Sequence, residues 1–328
     1  MDEFSFIKSI EPSFYRQSSL IKGISDDAAV IRPTGEDMVT AVDTMVEGVH
    51  FSKETMRPFH VGHRVLAANV SDLAAMGSTP AFYMVSLTVP SSWNQRELEE
   101  LYQGMQQLAR LYKMDLIGGD TVSGSELSVT VTVIGTVPRG RARYRSAAEP
   151  EDILFVTGTL GDARAGLEWL LNGGPGVDED VDYLVKRHRT PYPRVEFAQS
   201  LVPLSRLTLN DVSDGIANEA NEIAVASAVD LIIDASKLPF STALFRKYPE
   251  KYEEWMLSGG EDFELLGAVS EKDWSLLEKI AGNIGITVTR IGKVTLKRGI
   301  SPRVWIRRNE RMEVLDPSGY THLKEKGE

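Results

Sequence analysis

A chain of 328 residues, 42% hydrophobic and 25% charged, is longer than one core usually organises, so two domains are expected, 1–148 and 149–328. It contains no cysteine, which excludes disulfides, thiolate zinc sites, cysteine nucleophiles and iron–sulfur clusters. The 36 basic and 47 acidic residues give a net charge of −11, which argues against nucleic acid as a partner and makes divalent cations necessary wherever the surface meets a polyanion.

The N-terminus "MDEFSFIKSI" is acidic and has no secretory pattern, and no apolar run reaches the ~18 residues of a membrane span; a cytoplasmic protein without membrane contacts is expected. "GISDDAAVI" (Gly23 to Ile31) then sets two aspartates between a turn and an apolar run, and local capping by Asp26 is the simplest reading of that doublet. Strand, helix and strand follow at Met38–Val46, His60–Gly77 and Ala81–Pro90. Asn94–Lys113 is a capped amphipathic helix, "MDLIGGD" a short strand running into a glycine turn, and Glu126–Pro138 a long alternating strand. This is α+β patterning, and a polar stretch near "RSAAEPEDILFVTGTLG" marks the domain boundary.

The second half continues with a helix at Asp162–Leu171 and an acidic stretch, "GGPGVDEDVD". That stretch lacks calcium-loop spacing and is expected to be a solvated loop. A helix at Arg194–Leu204, the strand "LTLNDVSDG", a helix at Asn218–Ala228, the strand "DLIID" and helical segments to Leu257 come next. The strand "FELLGAV", a helix at Glu271–Asn283 and the strand "TVTRIGKV" complete a second α+β domain.

Aspartates recur where these elements meet Gly or Ser turns: Asp26, Asp27, Asp43, Asp72, Asp120, Asp211 and Asp214. Each has a structural reading as a cap, a turn or an internal polar contact, but a set of carboxylates in one place needs compensating charge, which hard divalent cations supply. No phosphate loop of the G-x-x-x-x-G-K-[ST] type and no G-x-G-x-x-G after a strand is present, so any nucleotide must be held another way. In "PRGRARYRS" the arginines 139, 141, 143 and 145 alternate, so one face of that segment should point inward. His60 and His63, at helical spacing, read as structural, and no third ligand supports zinc.

The motifs "GISDDAAV", "DTMVEGVHF", "ANVSDLAAMGSTP", "LIGGDTVSG", "RSAAEPEDILFVTGTLG", "NDVSDGIANE" and "LSGGEDFELL", in that order and over nearly the whole chain, resemble the thiamine-monophosphate kinases. Their superfamily also holds aminoimidazole ribonucleotide synthetase, selenophosphate synthetase and a hydrogenase-maturation enzyme. The resemblance implies ATP-dependent phosphorylation of thiamine monophosphate, the last step of thiamine diphosphate synthesis, with ATP as co-substrate and several Mg²⁺ ions. It implies metal ligation by Asp27, Asp43, Asp72, Asp120, Asp211 and Asp214, with Asp72 and Asp211 nearest the transfer. It also implies ATP contacts at Gly119, Asp120, Arg145, Ser213 and Tyr102, and substrate contacts at His50, Glu261 and Tyr320.

Ala41 and Val42 stand where relatives often have Ser or Thr, so any metal contact there must use main-chain carbonyls. By resemblance the fold is an N-terminal domain that pairs its sheet across a homodimer, followed by a C-terminal α+β domain. The acceptor is an anionic phosphate, so no general base is required, and direct in-line transfer is expected. Two alternatives remain: a superfamily enzyme with another acceptor, such as an aminoimidazole ribonucleotide synthetase, and a non-enzymatic binding module stabilised by cations.

Overall fold

The structure, a computed structural model, describes residues 3–24, 28–33, 35–173 and 178–319. They fall into two compact units: residues up to Ala142 together with Arg189–Val195, and Arg143–His188 together with residues from Glu196 onward. The division comes before the expected 148/149 boundary. The segment 189–195 returns to the first unit through contacts that leave no mark in local sequence: His63 Nε2 lies 2.9 Å from the Pro191 carbonyl, and the Tyr112 hydroxyl donates to the Pro193 carbonyl.

In the first unit the order is α1 (Glu3–Ile10), β1 (Leu20–Lys22), β2 (Val30–Ile31), β3 (Asp37–Val46), α2 (Pro58–Ala75), β4 (Thr79–Val89), α3 (Gln95–Leu111), β5 (Asp115–Ser123) and β6 (Ser128–Val137). Four strands form a sheet in the order β3-β6-β4-β5; β4 and β5 are parallel and the other pairs antiparallel. Strict alternation along β6 turns Val129, Val131 and Val133 into the core and leaves the intervening threonines half-buried. The helix α2 packs against β3, β6 and α3. Pro58 opens it, Gly77 with φ of 70° follows its end, and it is buried over almost its full length. An Asn94–Glu97 capping box starts α3, whose Leu98, Leu101, Met105 and Leu108 form the apolar stripe that meets α2.

The second unit holds β7 (Ile153–Thr157), α4 (Asp162–Asn172), α5 (Glu179–Arg189), α6 (Val195–Ser200), β8 (Thr208–Val212), α7 (Ile216–Ser227) and β9 (Asp230–Asp234). It ends with α8 (Thr242–Lys247), α9 (Tyr252–Ser258), β10 (Glu264–Val269), α10 (Glu271–Asn283), β11 (Val288–Thr295), β12 (Val304–Arg308) and β13 (Arg311–Val314). Its seven-stranded sheet runs β13-β12-β9-β11-β7-β10-β8, parallel only between β12 and β9. Strands β7 and β10 and the edge strand β8 are buried along their whole length, and the apolar side of α7, with Ile216, Ala220 and Ile223, packs into the same core as Leu154, Val156 and Leu266. Among the described residues no helix is long and apolar enough to cross a membrane.

The expected acidic loop is a correction. Residues 179–189 form α5, because Asp178 accepts a hydrogen bond from the Val181 N–H at 2.9 Å and caps the helix while Val181, Leu184 and His188 face inward. The expected helix at Arg194–Leu204 is shorter, ending at Ser200, and α1 and the β12–β13 hairpin were not anticipated.

Candidate functional site

In the first unit Asp43 lies on the edge strand β3, half-buried. Its N–H donates to Asn69 Oδ1 at 3.0 Å, and Asn69 Nδ2 donates to the Val65 carbonyl, so a fully buried asparagine ties β3 to α2. In an antiparallel strand the N–H and C=O of one residue share a side, and the sides alternate. With the Asp43 N–H directed to Asn69, the Ala41 carbonyl shares that outer side and the Val42 carbonyl turns toward β6, where Val42 is paired with Thr132. Of the two expected main-chain contacts, the Ala41 carbonyl thus faces away from β6 and the Val42 carbonyl toward it.

Burial raises the Asp43 pKa above its ordinary value. Asp72 sits half-buried in the C-terminal half of α2, and Asp120 lies exposed on β5 beside Gly119. A Cβ at Gly119 would stand 2.0 Å from the Val85 carbonyl of the adjoining strand, so only glycine permits this approach. His50 is fixed in the turn after β3: its Nδ1 accepts from the Val46 N–H at 3.0 Å, which leaves Nε2 as the protonated nitrogen. Tyr102, expected at the nucleotide, is 3% exposed on α3 and packs edge-on against Phe6.

In the second unit the strand β8 carries Asp211, which is 2% exposed, and runs through Ser213 and Asp214 to Gly215, whose φ of 108° starts α7. The "SGGEDFE" segment is laced to this turn by its backbone: the Glu261 N–H donates to the Ser213 carbonyl at 2.6 Å and the Phe263 N–H to the Val212 carbonyl at 3.0 Å. Two motifs separated by some fifty positions in sequence thus form one piece of structure, with Ser213, Asp214 and Glu261 half-buried on it.

Beneath it lies Glu219, a residue without an expected role. Its carboxylate accepts from Asn210 Nδ2 at 2.6 Å and from the Asp214 N–H at 3.1 Å. Burial first, and then the Asp211 carboxylate, push its pKa well above the ordinary range. In sequence a glutamate in the first turn of a helix reads as dipole compensation, which hid it. Asn210 Oδ1 in turn accepts from Arg145 Nε at 2.7 Å, and Glu222 pairs with Arg145 Nη1 at 3.1 Å, so an exposed guanidinium is held from two sides. Of the alternating arginines, Arg143 is the one that turns inward, donating to the carbonyls of Leu201 and Leu204.

Asp26, Asp27 and Tyr320 lie outside the described residues. Among the described residues no three His, Cys, Asp or Glu side chains stand close enough to form a metal cage. The candidate donors are all hard oxygens, the ligand type that Mg²⁺ takes.

Residues 25–137 match the family model "AIR synthase related protein, N-terminal domain". The thiamine-monophosphate kinase of Bacillus subtilis is 45% identical over 328 residues, covering 99% of this chain and 100% of that protein. The crystal structure of thiamine-monophosphate kinase from Stenotrophomonas maltophilia superposes with a TM-score of 0.82 at 34% identity, over 92% of this chain and 94% of that one. AaThiL complexed with AMPPCP and TMP gives a TM-score of 0.77 at 30% identity over 92% of each chain.

Proposed function

Since this chain belongs to the thiamine-monophosphate kinase family, we propose that it carries out the reaction of that family, the ATP-dependent phosphorylation of thiamine monophosphate to thiamine diphosphate. The observation that carries this reading is 45% identity over 328 residues, covering 99% of this chain and 100% of that relative. The solved complex of a relative with an ATP analogue and TMP names both substrates of the reaction.

The acceptor oxygen belongs to a phosphate that is already anionic at neutral pH, so the protein needs no general base and works by placement and charge. Bound Mg²⁺ would neutralise the triphosphate and the incoming phosphate, which otherwise repel. The candidate oxygen donors are Asp43, Asp72, Asp120 and the Ala41 carbonyl in the first unit; in the second they are Asp211 and Asp214. Arg145, braced by Asn210 and Glu222, supplies a fixed positive charge to the nucleotide, and Ser213 and Gly119 are each candidate nucleotide contacts. His50 would donate from Nε2 to the substrate phosphate, and Glu261 would contact the thiamine portion.

The edge position of β3, with Met38 59% and Val42 59% exposed, supports a homodimer formed through this sheet. The decisive assay is ADP release with thiamine monophosphate against aminoimidazole ribonucleotide precursors as acceptors. Release that depends on thiamine monophosphate alone supports the proposal. Release driven by the other acceptor, or none with either, overturns it.

A further inference from the structure

We infer that Arg187, a half-buried residue of α5, is the positioning residue that sets the "SGGEDFE" loop and thereby the thiamine-phosphate side of the site; this inference rests on the function proposed above. The loop has an uncommon backbone. Glu261 and Phe263 both adopt the left-handed region, φ 68° and 50°, which for residues with a side chain costs on the order of 1 kcal/mol each unless the surroundings enforce it. This double turn directs Glu261 to a half-exposed position and buries Asp262 and Glu264 on either side of Phe263.

The enforcement comes from inside. The Asp262 carboxylate accepts from the N–H groups of Gly161 and Ala163 at 2.6 and 3.0 Å, the first turn of α4, where the helix dipole also favours it. One guanidinium nitrogen of Arg187, Nη2, reaches the Glu264 carboxylate at 2.9 Å, the Asp262 carbonyl at 3.3 Å and the Thr159 carbonyl at 3.4 Å. Its Nε stands 3.7 Å from Asp162. The other Glu264 oxygen accepts from Thr157 Oγ1 at 2.7 Å, and a Cβ on Gly158 would strike this carboxylate at 2.2 Å.

A single cation therefore joins β7, the start of α4, α5 and β10 around the loop, and it faces three carboxylates: Asp162, Asp262 and Glu264. Burial would lower the Arg187 pKa, but Glu264, Asp262 and Asp162 outweigh it and hold the guanidinium charged. The hydrogen-bond partners of Arg187 include the Asp262 carbonyl and the Glu264 carboxylate of the loop, so its effect passes through the loop.

The test is steady-state kinetics on the full-length protein, varying thiamine monophosphate and ATP separately. Arg187→Met removes the cation. The double variant Arg187→Met/Glu264→Gln also removes one carboxylate and keeps the local charge balanced should the single variant fail to fold. Arg187→Lys restores a cation without the fork. The expected result for the charge-balanced variant is a rise of about tenfold or more in KM for thiamine monophosphate, KM for ATP within about threefold of the parent, and partial recovery in Arg187→Lys. Equal increases in both KM values, or no increase in either, overturn the inference. Absence of thiamine-monophosphate-dependent turnover in the unsubstituted protein would overturn the functional reading instead.

Discussion

Replacing Gly104 with alanine should destabilise the first unit, although by helix propensity alone it should help. In a helix interior alanine is favoured over glycine by about 1 kcal/mol. At Gly104, however, the new Cβ would lie 1.9 Å from the Phe59 carbonyl and 2.8 Å from the His63 nitrogen, and both are backbone atoms of α2 that no side-chain rotation can move. The crossing is equally close at Gly62, where a Cβ would meet the Leu101 carbonyl at 1.8 Å. Relieving the clash requires the two helices to part by more than an ångström, which loosens Leu101, Met105 and Leu108, all fully buried. Overpacking of this kind costs about 3 kcal/mol at the upper end of its usual range, so the net loss is about 2 kcal/mol. For a unit of this size that is a fall of about 4–8 °C in Tm. Gly282→Ala in α10 is the control: its Cβ would meet nothing within 4 Å, and it should be neutral or stabilising by up to about 1 kcal/mol. Thermal melts followed by circular dichroism read both. If Gly104→Ala melts at or above the parent temperature, the α2–α3 crossing is not as tight as described and the reasoning fails.

Asp72→Asn should reduce kcat by about 10²-fold or more at saturating Mg²⁺, because a metal-held charge in phosphoryl transfer is worth several kcal/mol. Near-parental kcat under that condition would remove Asp72 from the metal set. Asn210→Ala deletes the acceptor of Arg145 Nε and should raise KM for ATP about tenfold, the equivalent of about 1.4 kcal/mol for one charge-assisted hydrogen bond; an unchanged KM would show that Arg145 is not held for the nucleotide. His60 has its pKa lowered to about 4 by burial and by Arg189 and Arg57, against 6.5 when unfolded. Its contribution to stability is therefore complete above pH 6.5 and is lost as pH falls toward 4, where the unfolded chain binds the extra proton. Melting temperatures from pH 7 to pH 4 should decline less steeply in His60→Gln than in the parent, and parallel declines would contradict the assignment.

The elements that could be read from sequence are those whose burial repeats locally. β6 shows its alternation residue by residue, and α3 shows both its cap and its stripe. α5 was hidden because three acidic residues in its first turn resemble a solvated loop, while its inward positions, Val181, Leu184 and His188, are few. That omission also concealed Arg187, whose importance depends on carboxylates up to 77 positions away. Tyr102 shows the converse limit: a tyrosine on a helix looks the same in sequence whether it stacks on a ligand or on Phe6. The aspartates were found because carboxylates beside Gly and Ser turns are conspicuous. Glu219, which braces Asn210 and the Asp214 N–H from within α7, has no such local signature.

The central claim is phosphoryl transfer from ATP to thiamine monophosphate, and phosphorus NMR of the complete reaction tests it most directly. The account predicts that, with Mg²⁺ present, the diphosphate resonances of thiamine diphosphate grow in step with those of ADP, and that both are absent when thiamine monophosphate is omitted. ADP accumulating with inorganic phosphate, or without any thiamine diphosphate, would contradict it.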